Sequence, residues 1–462
     1  FTVTFFLLLF PGRVLGAECA AIFAIFTSQA WNMTFSFYQS LRMLPSDLVE
    51  VSSNLQLSGW QKFWKLDVPF AIPGLVWNMM MSMSGGWFFV VASEAITVGD
   101  KTITLPGVGS YLAVAIEQRD LHAVGYVILA MIAVILLYDQ FLFRPLVAWA
   151  DKFRMEDTAS QAGAPESWVL NLIQRTRVIQ RLLRPFARAM TRIGHMRLSL
   201  PRSKTVATPP DPAISRAIDW VWGGVIAVLT LYILYRIAGY VSSEVTLAEV
   251  GHVLGLGLIT LLRVTLLIAV ASVIWVPLGV MIGLRPRLAE KIQPLAQFLA
   301  AFPANLLFPV FVIVILRYQL NPDIWLSPLI VLGTQWYILF NVIAGASAFP
   351  NDFKEAAANF RIRGWLWWRK VMLPGIFPYY VTGAITASGG AWNASIVSEF
   401  VSWGQDKVVA HGLGAYIAQT TAAGDFPKIT LGVVVMSLFV VAFNRLVWRP
   451  MYAIAENKLR LN

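Results

Sequence analysis

The chain has 462 residues, 57% of them hydrophobic and 13% charged, with a formal net charge of +11 and a mean hydropathy of +0.65. Soluble domains average about 25% charged residues, so these values exclude a soluble fold, a disordered scaffold and a nucleic-acid module, and imply an integral membrane protein. The single cysteine, Cys19, excludes an internal disulfide framework.

A bilayer core of about 30 Å takes about 20 apolar residues per helix. In chain order, the first half predicts spans at about 1–10, 17–41, 70–93 and 122–144. Phe1 is not an initiator methionine, and no charged n-region precedes the apolar run, so no signal peptide is indicated. The one clear break runs from 151 to 212 and contains Gly163-Ala164-Pro165, Pro201 and Thr208-Pro209-Pro210. Its middle, Trp168 to Ile193, alternates apolar and arginine positions at helical spacing. That pattern predicts an amphipathic helix on the membrane surface, facing anionic lipid headgroups rather than nucleic acid. The second half predicts spans at about 215–240, 254–283, 292–316, 325–348, 374–398 and 427–448. The organisation is thus 1–150, a basic linker at 151–212, and 213–462.

Alternating these spans through a bilayer gathers Arg285, Arg287, Lys291, Lys354, Arg361, Arg363, Arg369 and Lys370 on one side, with the linker and the C-terminal Arg449 and Lys458. The opposite loops carry Glu244, Glu249, Asp406 and Asp425. Positive charge is retained in the cytoplasm during insertion, so the C-terminus is expected there.

Shifting the chain by 305 positions lays one half on the other without a gap. Trp31 meets Trp336, Pro45 meets Pro350, Glu50 meets Glu355, and Gly59-Trp60 meets Gly364-Trp365. Pro69 meets Pro374, Trp87 meets Trp392, Ser93-Glu94 meets Ser398-Glu399, and Arg144-Pro145 meets Arg449-Pro450. Both charged loops fall on one face, so the repeat is parallel rather than inverted. Spans 215–240 and 254–283 have no counterpart, and the first repeat is expected to lack its first two to three helices in this chain.

The stretch Pro350-Asn-Asp-Phe-Lys-Glu355-Ala356-Ala357 through Gly364 to Leu373-Pro374 resembles the EAA loop of ABC importer permeases. Glu50, Gly59 and Pro69 repeat the pattern. The resemblance is strongest to the nitrate, sulfonate, taurine and bicarbonate branch, in its duplicated form. It implies an all-α polytopic protein of two type I permease bundles in a bacterial inner membrane. In that family the loop is two short cytoplasmic helices docked into a groove of an ATP-binding subunit. The partners implied are two such subunits, which hold ATP and Mg, and a small anion. Whether a periplasmic substrate-binding protein delivers the anion stays open. Departures from the family pattern are Gln56 and Arg361 at its usual glycine place, and Val51-Ser52 where the alanines belong. Pro350 and Pro374 are expected to break the short helices, and Gly364 to form the turn between them.

Span 374–398 is rich in glycine and polar residues, which suits close packing or a pathway lining. The candidate lining residues are Trp87, Ser388, Gly389, Gly390, Trp392, Asn393 and Ser395. Arg263 lies inside a predicted span, placed either to attract an anion or to pair with a carboxylate or helix end. Glu94 and Glu399 are read as helix-end anchors. No Gly-x-x-x-x-Gly-Lys-Ser/Thr loop, metal-spaced histidines or catalytic constellation is present, so any ATPase is a separate subunit and this chain is not an enzyme. The rival reading is an ATP-independent secondary transporter or channel with parallel repeats.

Overall fold

A computed structural model describes residues 9, 14–42, 44–98, 101–153, 167–196, 212–242 and 244–459. The predicted span 1–10, apart from Leu9, and the linker's Pro165, Pro201, Pro209 and Pro210 lie outside the described residues. The first half builds α1 (Val14–Arg42), α2 (Ser46–Asn54), α3 (Gly59–Lys62), α4 (Val68–Glu94), β1 (Ala95–Val98), β2 (Lys101–Thr104), α5 (Val108–Glu117), α6 (Leu121–Tyr138) and α7 (Arg144–Ala150). The linker contributes α8 (Trp168–Arg175) and α9 (Arg177–His195). The second half follows with α10 (Pro212–Ser242), α11 (Leu247–Gly283), α12 (Pro286–Ala301), α13 (Phe308–Tyr318), α14 (Pro322–Trp325), α15 (Ser327–Leu332), α16 (Gln335–Ser347), α17 (Asn351–Asn359), α18 (Gly364–Trp367), α19 (Leu373–Ser398), β3 (Phe400–Trp403), β4 (Asp406–Val409), α20 (Leu413–Ala423), α21 (Phe426–Phe443) and α22 (Arg449–Lys458).

The 305-residue step recurs in the backbone. Elements α2 to α7 begin 305 residues before α17 to α22, and the hairpin β1–β2 precedes β3–β4 by the same step. Left-handed Gln56 (φ 49°) and Arg119 (φ 57°) recur as Arg361 (φ 53°) and Gly424 (φ 71°). Asp120 caps α6 by accepting from His122 N (2.9 Å) and Ala123 N (3.1 Å), as Asp425 caps α21 through Lys428 N (3.1 Å). Burial lifts the Asp425 carboxyl pKa, but the Lys428 hydrogen bonds and charge outweigh it and hold the group below its ordinary value.

Proline explains a second regularity. Four π-helical turns, Phe63–Asp67, Asp139–Phe143, Trp368–Met372 and Asn444–Trp448, each lead into a helix whose second residue is proline: Pro69, Pro145, Pro374 and Pro450. A proline inside a helix lacks the N–H donor and collides with the carbonyl four residues back. One extra residue in the preceding turn relieves that collision. Pro374 therefore does not end a helix, contrary to the sequence reading, and neither does Pro69; both are accommodated within continuous ones. The break does hold at Pro350, which caps α17 from outside at φ −59°, ψ 139°.

Among the described residues, four helical runs are long and apolar enough to cross a membrane: Leu121–Phe153, Ile218–Ser242, Leu247–Gly283 and Phe426–Ala455. Bent pairs raise this to seven. The expected span 292–316 is one of them, bent by 72° between Pro286–Ala301 and Ala304–Tyr318. The cause is Pro303, which drives Phe302 extended (ψ 125°). Span 325–348 likewise bends by 44° between Leu332 and Gln335. The loops after α4 and α19, unassigned in the sequence reading, are antiparallel hairpins.

The chain divides into two compact units that cut across the sequence repeats: Phe1–Ala30 with Met80–Asp139 and Leu247–Asn462, and Trp31–Met79 with Gln140–Thr246. The core of the first unit mixes both repeats, joining Val91, Leu112 and Met131 to Leu306, Leu329 and Trp403. Here β1 packs on α20 and β3 on α5, the reciprocal arrangement of a two-fold pair. The contact is sealed by Gly404 N donating to Ile116 O (2.9 Å) and by Arg119 Nη2 to Asp406 Oδ2 (2.8 Å). Gly404 is required twice over. Its φ is +58°, and a Cβ there would lie 2.3 Å from Arg119 Nε. In the second unit, α10 is exposed along its apolar length, as a lipid-facing span must be.

Candidate functional site

Each elbow is a proline-led helix closed by a Schellman turn. After α2, Gln56 N donates to Ser53 O (2.9 Å) and Leu57 N to Ser52 O (3.2 Å); after α17, Arg361 N donates to Ala358 O (3.0 Å) and Ile362 N to Ala357 O (2.8 Å). That motif places its left-handed residue at the first position past the cap, usually a glycine. Here Gln56 and Arg361 fill it, so the reversal is made where the family glycine is missing and not at the later glycines. Gly364 is itself left-handed (φ 59°) and opens α18, whereas Gly59 is not left-handed. Instead, Ser58 starts α3 with a capping box to Gln61. Arg361→Gly should stabilise the fold by about 0.5–1 kcal/mol, the strain relieved less the extra unfolded-state entropy. Gly364→Ala should cost a similar amount. Unfolding midpoints in detergent check both, and a destabilised Arg361→Gly would refute the turn assignment.

The two elbows present different surfaces. Glu355 and Ala356 are exposed, as is Glu50. Ala357 is only 4% exposed and its counterpart Ser52 only 5%, so these small residues pack inward rather than face a partner. A cavity of about 300 Å³, lined by Phe349, Phe353, Ala357, Phe360, Ile362 and Gly375, lies between α17 and the start of α19. Around it Phe360, Trp365 and Leu366 are exposed at 79%, 74% and 53%. The first elbow is instead held by the linker. Trp60 Nε1 donates to Ile193 O (2.7 Å) and Gln61 Nε2 to His195 O (3.2 Å), both at the end of α9.

At the far ends of α4 and α19 the glutamates Glu94 and Glu399 anchor the chain, as read from sequence. Glu94 accepts from Gly109 N, and Glu399 from Ala415 N (3.2 Å). A Cβ on Gly107 or Gly412 would lie 2.3 Å from these carboxylates, which explains the paired glycines. Glu399 is buried at 1% exposure, and Arg263 Nη1 donates to it. Arg263 Nη2 also reaches Asp323 Oδ1 (3.2 Å) and His411 O (3.0 Å). Thr260 Oγ1 donates to Glu399 (3.2 Å) and accepts from Leu413 N (2.8 Å). Of the two roles the sequence left open, the geometry displays the carboxylate pairing. Asp323, His411 and Thr260 went unread in sequence; only Thr260, three residues before Arg263 and so on its helix face, carried a signal.

The remaining candidates divide by packing. Ser388, Trp392 and Ser395 are buried, and Gly390 abuts Thr334 (a Cβ would sit 2.7 Å from its Cγ2). Gly389 and Asn393 share an open face, where Asn393 Nδ2 donates to Gly389 O (3.3 Å). Trp87 and Trp392, one repeat apart, both hold buried indole N–H groups without a partner.

The sequence profile of the binding-protein-dependent transport system inner membrane component family matches residues 1–143 and 275–459, well over half the chain. The chain belongs to this permease family. Bicarbonate transport system permease protein CmpB of Synechococcus elongatus is 27% identical over 188 residues, 41% of this chain and 64% of that protein. Nitrate import permease protein NrtB of Leptolyngbya laminosa is 24% identical over the same shares. CmpB of a Synechocystis species is 29% identical over 165 residues, 36% of this chain and 56% of that protein. The chain spans less than two thirds of the length of these curated relatives. Both matched stretches of the permease contain an elbow, a π turn that leads into a proline, and a glutamate-anchored hairpin.

Proposed function

We propose that this permease supplies both transmembrane halves of an ATP-driven importer for a small anion of the bicarbonate or nitrate kind. The twin elbow carries the reading: the same proline-led helix, Schellman turn and π segment occur twice, 305 residues apart. Two elbows suit two copies of an ATP-binding subunit, which would hold ATP and Mg²⁺ and close beneath them. A substrate-binding protein would deliver the anion from outside, and the C-terminus would lie in the cytosol. Glu50, Gly59 and Pro69, with Glu355, Ala356, Gly364 and Pro374, form the coupling loops in this reading.

One helix links the two ends of the second bundle. α19 starts at the elbow and ends at Glu399, so displacement of α17–α18 is passed along a single rod to the Arg263 cluster. The unpartnered Trp87 and Trp392 N–H groups supply donors that an anion could satisfy once the packing opens, with Asn393 beside them. The test is uptake of labelled bicarbonate and nitrate into proteoliposomes holding the permease with its ATP-binding subunits. ATP-dependent uptake is expected, and Trp392→Phe should reduce it about tenfold, the worth of one such hydrogen bond, while leaving the unfolding midpoint unchanged or raised. Uptake that proceeds without the ATPase would replace this reading with a secondary transporter.

A further inference from the structure

We propose that linker helix α9 is a binding surface for anionic lipid that braces the first elbow against the membrane. Arg177, Arg181, Arg184, Arg188 and Arg192 follow one another at three- and four-residue steps, which gathers them on one stripe of the helix. All are exposed. No aspartate or glutamate occurs from Trp168 to Met196, and among the described residues no carboxylate pairs with these arginines. Met190 and Ile193 fall on the opposite stripe, at 44% and 39% exposure, with Val178 (65%) between the two stripes. A helix that exposes both an apolar stripe and an unneutralised cationic one matches a headgroup–acyl boundary, where each finds its complement. The neighbouring α8 adds exposed Trp168 (54%), a side chain suited to that depth.

The geometry gives this contact a consequence. The last turn of α9 is fastened to the first elbow through Trp60 and Gln61, and a Cβ on Gly194 would already touch Trp64 Cβ at 3.4 Å. Trp365, the counterpart of Trp60, is 74% exposed instead. Lipid held by α9 therefore restrains one elbow of the two. The inference rests on the importer reading only for calling this elbow a coupling element.

Nitroxide probes at Met190→Cys and Arg188→Cys, in a Cys19→Ser background, test it in the complex with its ATP-binding subunits. The lipid is phosphatidylcholine alone or mixed with phosphatidylglycerol, in nanodiscs. With phosphatidylglycerol the Met190 probe should become accessible to oxygen and shielded from an aqueous relaxant, while the Arg188 probe stays wet. Changing Arg181, Arg184 and Arg192 to Gln should weaken this partitioning about fivefold per charge, hence about a hundredfold together. Added salt should weaken it in the same direction. Three results would overturn the proposal: a Met190 probe in water in both lipids, shielding that is indifferent to the arginines, or shielding that appears only when the ATP-binding subunit is added. Probe accessibility is read without ATP or substrate, so failure of the importer reading leaves the result intact.

Discussion

Arg263→Ala is expected to destabilise the permease by about 3–5 kcal/mol, the cost of leaving a buried carboxylate without its counter-charge. Glu399 is 1% exposed and the Arg263 side chain 9%, so water cannot replace the lost guanidinium. The same substitution frees Asp323 and the His411 carbonyl, and so unties α11 from α14 and from the loop before α20. Arg263→Lys should fall between wild type and alanine. One ammonium keeps the charge but cannot reach two carboxylates and a carbonyl in the planar fork the site uses. Arg263→Met combined with Glu399→Leu should recover much of the loss, because removing both charges removes the desolvation penalty too. Unfolding midpoints in detergent measure all three variants against wild type. An alanine variant within 1 kcal/mol of wild type, on the scale of a surface pair, would show that the cluster does not hold this end of the bundle.

That cluster also marks where sequence stopped being informative. Arg263 was legible as unusual because a charge inside a predicted span demands an explanation. Its partners were not, because Glu399, Asp323 and His411 lie 60 to 148 residues away and meet it only through tertiary folding. Periodic and repeated features were readable throughout. Spans 254–283, 374–398 and 427–448 are helical, and the 305-residue step holds down to the left-handed pairs Gln56/Arg361 and Arg119/Gly424. Failures came where proline acts through its surroundings. Pro303 bends a helix that hydropathy alone treats as continuous, while Pro374 is absorbed by a π turn that no local propensity announces. The elbow turn was misplaced for a related reason. Glycine is the usual left-handed residue, yet the Schellman hydrogen bonds hold Gln56 and Arg361 there against their intrinsic preference.

If the importer reading proposed above holds, removing the exposed aromatics of the second elbow should separate the permease from the ATP-binding subunits without unfolding it. Phe360, at the end of α17, and Trp365, in α18, stand 79% and 74% exposed, while Ala357 of α17 and Met372 of the following π turn are buried. Aromatic side chains so placed gain little from the fold itself, and a cluster of them marks a surface awaiting a partner. Buried at an interface, each behaves as an anchor worth about 2 kcal/mol or more, about thirtyfold in affinity. Phe360→Ala with Trp365→Ala should therefore abolish co-purification of the ATP-binding subunit and ATP-driven uptake, with the unfolding midpoint nearly unchanged. Glu355→Ala should act more weakly, as a rim charge sets association rate more than affinity. The first elbow should respond differently to matched changes. Its exposed residues are the smaller Val51 (51%) and Leu55 (66%), and Trp60 is bound to the linker backbone. Leu55→Ala should cost less binding than Phe360→Ala, and Trp60→Ala should loosen α9 before it loosens the ATPase. Equal losses from both elbows, or full uptake by the Phe360/Trp365 double variant, would mean that the motor engages some other surface of the chain.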